Sequence, residues 1–296
     1  MGARIRPDGE LWYAISTSSS PREIRAVSRL LLQPRGPRAP EGTAYTDLDV
    51  GRVHAFLAEP AGPRPHPTIF RVHGGPAGYD GDVFSPEAQA WVDHGFAVTL
   101  VNYRGSAGYG KAWRDAIVGN PGFTELEDLA AVRDQLIADG IADAARMVLA
   151  GPSWGGYLTL LGLGVQPERW SLGIAAVPIA DLVANYEDQL EPLKAYMRAL
   201  FGGTPEELPD LYRERSPLSH AEKVRAPVLI LAGLNDPRCP SRQMENYVDR
   251  LTELGTAHEV YRYDAGHGTL VIDEQIQQLE LQLDFAARHL GTQAPL

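Results

Sequence analysis

Short apolar runs and amphipathic stretches alternate along most of this chain. Val53–Leu57, Thr68–Val72, Ala97–Asn102, Met147–Ala150, Ser171–Val177, Val228–Ala232 and His258–Tyr263 are runs of apolar and β-prone residues that predict strands. Helical stretches separate them at Pro86–His94, Glu125–Ala138, Trp154–Leu163, Ser241–Leu254 and Ile272–Leu290. Within Glu125–Ala138, Leu126, Leu129, Val132 and Leu136 recur at helical spacing, with acids in the first turn to favour the positive end of the helix dipole. Short, mostly apolar strands alternating with helices predict an α/β fold: a mostly parallel central sheet with helices on both faces. Such sheets bind ligands beyond the C-terminal ends of their strands. Between 180 and 224 the rhythm breaks into helical pieces around Pro192, Gly202-Gly203 and Pro205, which predicts a small helical insertion over the site, a cap or lid. Residues 1–45 read as a separate arm or hairpin, with strands at Leu11–Thr17 and Glu23–Leu32, a turn at Ser18-Ser-Ser-Pro21 and a stiff Pro34–Pro40 linker. Residues 46–296 form the main domain.

Composition narrows the classes. The 296 residues are 44% apolar and 22% charged, an ordinary globular mix with enough length for a sizeable core. The net charge of −11 argues against nucleic acid and anionic membrane surfaces as partners. The single cysteine, Cys239, excludes an internal disulfide. No apolar stretch follows the charged N-terminus and no long apolar run occurs, so a cytoplasmic protein is the expectation.

Chemistry concentrates at three places. Gly151-Pro-Ser153-Trp-Gly155-Gly156 follows a strand and opens a helix, the setting that lifts a serine hydroxyl out of a tight turn. That makes Ser153 the candidate nucleophile of an α/β-hydrolase fold. A serine hydroxyl needs an imidazole to take its proton, and a carboxylate to orient that imidazole. In this fold the partners follow in the order serine, acid, histidine. Asp236 ends the strand Val228–Ala232 and His267 follows the last strand, so both take up those roles. Asp264 is the alternative acid, read as a turn former. The remaining histidines are scattered without metal-ligand spacing, so no metal and no cofactor are expected. His73-Gly-Gly75-Pro76 follows the strand Thr68–Val72 and reads as a glycine-rich oxyanion loop, with the Trp154 backbone N–H as second donor.

Together these motifs resemble the catalytic domain of the prolyl oligopeptidase family, nearest its acylaminoacyl-peptidase and dipeptidyl-peptidase branches. The resemblance runs from about Tyr45 to the C-terminus. It is carried by His73–Pro76, Asn102-Tyr-Arg-Gly-Ser-Ala-Gly-Tyr-Gly110, Glu127-Asp128, Gly151–Tyr157, Asp236-Pro-Arg-Cys-Pro240 and Gly266–Gly268. It implies that Ser153, Asp236 and His267 form a triad and that Gly75 and Trp154 supply the oxyanion N–H groups. It also implies that Tyr157 contacts substrate and that Arg238 binds a substrate carbonyl, with a surface salt bridge as the alternative for Arg238, while Arg104 joins its loop to nearby carboxylates. Some branches place a tyrosine hydroxyl where this chain has His73. The family often has Trp-Gly where this chain has Pro121-Gly122. A large β-propeller usually precedes the domain. Here about 45 residues do, and Gly9–Thr17 with Ser20–Ile24 resembles the end of a last propeller blade, so the sequence is either a propeller-less relative or a truncated one. The dipeptidyl branch takes its amine-binding acids from the propeller, which argues against dipeptidyl activity. A face left free by a missing propeller allows a homo-oligomer.

The leading expectation is therefore a serine hydrolase acting on small peptides or acylated amino acids through an acyl-enzyme. An esterase for small acyl or lactone esters shares the same residues. A repurposed, non-hydrolytic member is the third reading, against which the complete Ser-Asp-His set argues.

Overall fold

The computed structural model describes residues 2–27, 29–32 and 39–292. Most of the expected Pro34–Pro40 linker lies outside the described residues.

The N-terminal part is a four-stranded antiparallel sheet in the order β1 (Ala3–Ile5), β2 (Leu11–Thr17), β3 (Ser20–Ala26), β4 (Arg29–Leu32). The expected hairpin is thus the middle of a larger sheet. The turn closes over Ser18 and Ser19, and Pro21 sits inside β3. Ser18 ties this sheet to the rest of the chain: its N–H donates to Asp82 at 2.7 Å and its hydroxyl oxygen accepts the Tyr45 N–H at 2.8 Å.

The remaining elements run β5 (Thr46–Val50), β6 (Val53–Ala58), β7 (His66–Arg71), α1 (Pro86–Asp93), β8 (Ala97–Asn102), α2 (Lys111–Arg114), α3 (Phe123–Ala138), β9 (Ala142–Pro152), α4 (Trp154–Val165), β10 (Leu172–Ala176), α5 (Leu182–Asp188), α6 (Glu191–Phe201), α7 (Pro209–Arg215), β11 (Val228–Gly233), α8 (Ser241–Leu254), β12 (His258–Tyr263) and α9 (Ile272–Leu290). Eight strands form one sheet in the order β12-β11-β10-β9-β7-β8-β6-β5, parallel from β12 to β8 and antiparallel at β6 and β5. This is the α/β-hydrolase fold.

Successive strand residues face opposite sides, and the two sides bury separate cores. Phe70 and Leu149 join α3, α4 and α8 through Leu126, Leu158 and Tyr247. Their neighbours Ile69 and Val148 join α1 and α9 through Trp91 and Phe285. Each such side chain contributes about 1.5–3 kcal/mol by leaving water. Strand β5 was not expected, because Asp47 and Asp49 are poor strand formers; it is an exposed edge, where charge is tolerated. Strand β9 begins five residues before the apolar run, because Ala142 pairs with His66 of β7.

The insertion is helical, as expected: α5, α6, α7 and a 3-10 turn at Pro217–Lys223. It is anchored rather than loose. Gln243 of α8 accepts the Ala180 N–H at 2.5 Å and donates to the Pro178 carbonyl at 2.9 Å. No helix among the described residues is long and apolar enough to cross a membrane.

Candidate active site

The C-terminal ends of β7, β9 and β11, with the loop after β12, converge at one place. Strand β9 ends at Pro152 and α4 starts at Trp154, so Ser153 alone makes the turn, at φ 56°. A left-handed conformation at a non-glycine residue costs on the order of 1–3 kcal/mol and persists only where the surroundings enforce it. Glycines provide the room. A Cβ at Gly151 or Gly155 would strike the Val72 carbonyl oxygen, and one at Gly74 would lie 3.3 Å from the Ser153 Cβ. Strand β7 therefore passes directly behind the elbow. The Ser153 N–H is fixed to the Ala176 carbonyl at 2.8 Å.

Asp236 is buried in the loop after β11. One of its oxygens accepts the Arg238 and Cys239 N–H groups at 2.8 and 3.1 Å. The other accepts the His267 Nδ1–H at 2.7 Å. The two loops are held in register by backbone bonds from Leu234 to Tyr263 and from Asn235 to Ala265, both 3.0 Å. Gly233 is required there, because a Cβ would collide with the Gly266 carbonyl. Asp264 takes the Asn235 side-chain N–H at 2.8 Å, as a turn residue does. With Nδ1 committed to Asp236, the His267 Nε2 is left as the proton acceptor.

Cys239 belongs to this place, and its sequence position had not marked it. A donor atom from each of Asp236, Cys239 and His267 lies within 4.8 Å of the others, the one such cluster among the described residues. Burial, with the Asp236 charge, pushes the Cys239 thiol far up, against a weaker opposing pull from the Arg238 charge. A protonated thiol beside a committed carboxylate is a poor metal ligand set. The signal in the sequence was the three-residue offset from Asp236, which an aspartate-capped turn folds back onto the carboxylate.

The glycine loop after β7 is held by the Asn102–Gly110 segment. The Tyr103 hydroxyl donates to the His73 carbonyl at 2.9 Å, and its ring stacks on the imidazole with centroids 4.2 Å apart. The imidazole donates from Nδ1 to the Gly74 carbonyl at 2.9 Å and accepts the Ser106 hydroxyl at Nε2, 2.8 Å. Ala107 N–H reaches the Gly78 carbonyl at 2.9 Å. Arg104 ties this segment to α3 through Asp128 and Glu127, the joining role expected of it. Neither the Gly75 nor the Trp154 N–H has a protein acceptor among the described residues.

Burial lowers the His73 pKa from 6.5 to about 4. The neutral form is favoured in the folded state, so its stability is complete above pH 6.5 and drains away as pH falls towards 4. A shift of that size is worth up to about 3 kcal/mol. The unfolding temperature of the wild type, compared with His73→Gln at pH 7 and pH 4.5, should show the gap between them narrowing at the lower pH. A constant gap would show that His73 carries no such linkage.

Two expected substrate contacts fare differently. Arg238 is exposed, with no ion pair among the described residues. Tyr157 is corrected: its side chain is fully buried, packed on Trp154 with ring centroids 4.5 Å apart. The reason is that α4 is buried on every side from Trp154 to Gly164, so its side chains pack into the core.

Residues 82–293 match the prolyl oligopeptidase family. The chain belongs to that family. Among curated relatives it is similar to the uncharacterized peptidase YuxL of Bacillus subtilis, 29% identical over 270 residues, covering 86% of this chain and 39% of YuxL. The acylamino-acid-releasing enzyme of Rattus norvegicus is 32% identical over 227 residues, covering 71% of this chain and 30% of the enzyme. Among solved structures, a puromycin-hydrolyzing peptidase of Mycobacterium tuberculosis superposes with a TM-score of 0.90 at 28% identity, covering 97% of this chain and 47% of that one. The chain thus spans between about a third and a half of the length of these relatives.

Proposed function

We propose that this chain is a serine hydrolase that cleaves small peptides or acylated amino acids through an acyl-enzyme. Ser153 is the nucleophile, His267 its general base and Asp236 the residue that orients the base. The observation that carries this reading is the Asp236–His267 hydrogen bond of 2.7 Å, together with a serine held at positive φ between β9 and α4. The bond between the Ser153 hydroxyl and His267 forms on substrate binding, as catalytic hydrogen bonds tighten in the Michaelis complex. The Gly75 and Trp154 N–H groups, free of protein acceptors among the described residues, stabilise the oxyanion. Arg238 holds a substrate carbonyl from the rim. The relatives' names, which describe release of acylated amino acids and hydrolysis of puromycin, favour an amide over an ester as the scissile bond.

A chromogenic panel tests this: short acyl esters, acyl-amino-acid anilides and unblocked dipeptide anilides, with Ser153→Ala as the blank. Serine-dependent cleavage of the acylated anilides is expected. Cleavage of esters alone would move the assignment to an esterase. A folded protein that cleaves none of them would overturn the reading.

A further inference from the structure

Glu125 has no accessible surface, and no cation pairs with it among the described residues. It stands in the first turn of α3. One carboxyl oxygen accepts the Gly122 N–H at 2.7 Å, which caps the helix. That task alone requires neither burial nor a second partner, since capping carboxyls ordinarily work at the surface. The other oxygen accepts the indole N–H of Trp154 at 3.1 Å. Trp154 is the residue after Ser153, at the start of α4, where the backbone has just left a strained conformation. A side-chain anchor at this point sets the direction of the residue's own N–H.

We propose that Glu125 is a positioning residue for the oxyanion hole: its grip on the Trp154 indole aims the Trp154 N–H at the developing oxyanion. The inference rests on the reading of Trp154 as an oxyanion donor. Arg104 joins the same helix α3 to the segment that braces the glycine loop. The two halves of the oxyanion hole are therefore referred to one rigid element.

Charge gives the arrangement a second property. Burial raises the Glu125 pKa to about 8, and Asp128 on the same helix adds to the rise. The other groups facing it are Tyr103 after β8, Tyr157 on α4 and Tyr196 on α6, with Arg215 of α7 acting on Tyr157. Below that pH the group is neutral. Above it a carboxylate stands behind the oxyanion hole and opposes the charge that builds there. Turnover should therefore fall as pH rises through about 8.

The test uses the full chain, the best substrate of the panel and the variants Glu125→Gln, Glu125→Leu, Trp154→Phe and Glu125→Leu/Trp154→Phe. Removing an oxyanion donor outright costs 100- to 1000-fold, and misdirecting one should cost about tenfold. Glu125→Leu and Trp154→Phe should each lower kcat by about that factor with little change in KM. The double variant should be no slower than either single one, because both break the same contact. Glu125→Gln, which keeps an acceptor for the indole, should retain most of the turnover at pH 7 and lose the alkaline fall. Wild-type kcat in a folded Glu125→Leu, multiplying losses in the double variant, or an alkaline fall that survives in Glu125→Gln would each overturn the inference. Should Glu125→Leu not fold, Trp154→Phe and the Glu125→Gln profile still decide it. Residual activity in Ser153→Ala would instead sink the assignment of the site itself, whatever the Glu125 variants do.

Discussion

Ser153→Ala is expected to lower turnover by about four orders of magnitude or more, because the bond-forming atom is gone. What remains is the binding site and the oxyanion donors, which by themselves accelerate the reaction about 10³–10⁴-fold over water. The fold should survive. The Ser153 backbone is held by its own N–H bond to Ala176 and by the close passage of Val72, neither of which involves the hydroxyl. The unfolding temperature should move by no more than about 2 °C, and circular dichroism should be unchanged. Steady-state rates and a thermal melt on one preparation provide the check. A folded variant with more than about a thousandth of wild-type activity would place the nucleophile elsewhere.

Asp236→Asn should lower kcat by about 1,000- to 10,000-fold while leaving KM and stability close to wild type. The substitution is nearly isosteric. The amide oxygen still accepts the Arg238 and Cys239 N–H groups, so the turn that carries the loop stays capped. The amide nitrogen then faces His267 Nδ1, where the carboxylate had accepted. Two donors meet, and the imidazole relieves the clash by moving its proton to Nε2. The nitrogen that must take the serine proton is then already occupied. Alkaline rescue would follow only if a second base existed, and none of the polar contacts of His267 offers one. A small kcat loss with a large fall in melting temperature would show that Asp236 serves the loop more than the imidazole. Asp264→Asn is the control: among the described residues its carboxylate holds only the Asn235 amide, so its effect should be slight.

Much of this architecture could be read along the chain, for identifiable reasons. Strands β10 and β11 are buried on both faces because helices cover both faces, so short runs of Leu, Ile, Val, Ala and Gly mark them. Helices α8 and α9 had the bounds that their apolar stripes and closing glycines indicate. Strand β5 was hidden because an edge needs only backbone partners and tolerates Asp47 and Asp49. The sheet β1–β4 was half hidden because two of its strands are too short for a period to register.

The candidate site divides in the same way. Gly151-Pro-Ser-Trp-Gly155, Asp236 and His267 were legible because each is a local motif, and their order along the chain matches the order of the strands that carry them. A tight turn needs its glycines within two residues of the serine, so that requirement is written in one place. Tyr157 was misread for the opposite reason. Its neighbourhood to the elbow says nothing about which way a helix buried on all sides turns its side chains. Cys239 and Glu125 were missed because their roles depend on approaches across 28 and 29 positions, to His267 and Trp154 respectively.

The sequence by itself thus determined the fold class, the order of the elements and the residue types at the ends of three strands. These follow from periodicity and from backbone sterics, which act over a few residues. The tertiary structure decided which carboxylate meets His267, that Tyr157 lies in the core, and that Glu125 reaches the residue beside the serine. Those outcomes depend on how loops separated by tens of residues are brought together by parallel strand pairing, and on which side chains lose their water when they meet.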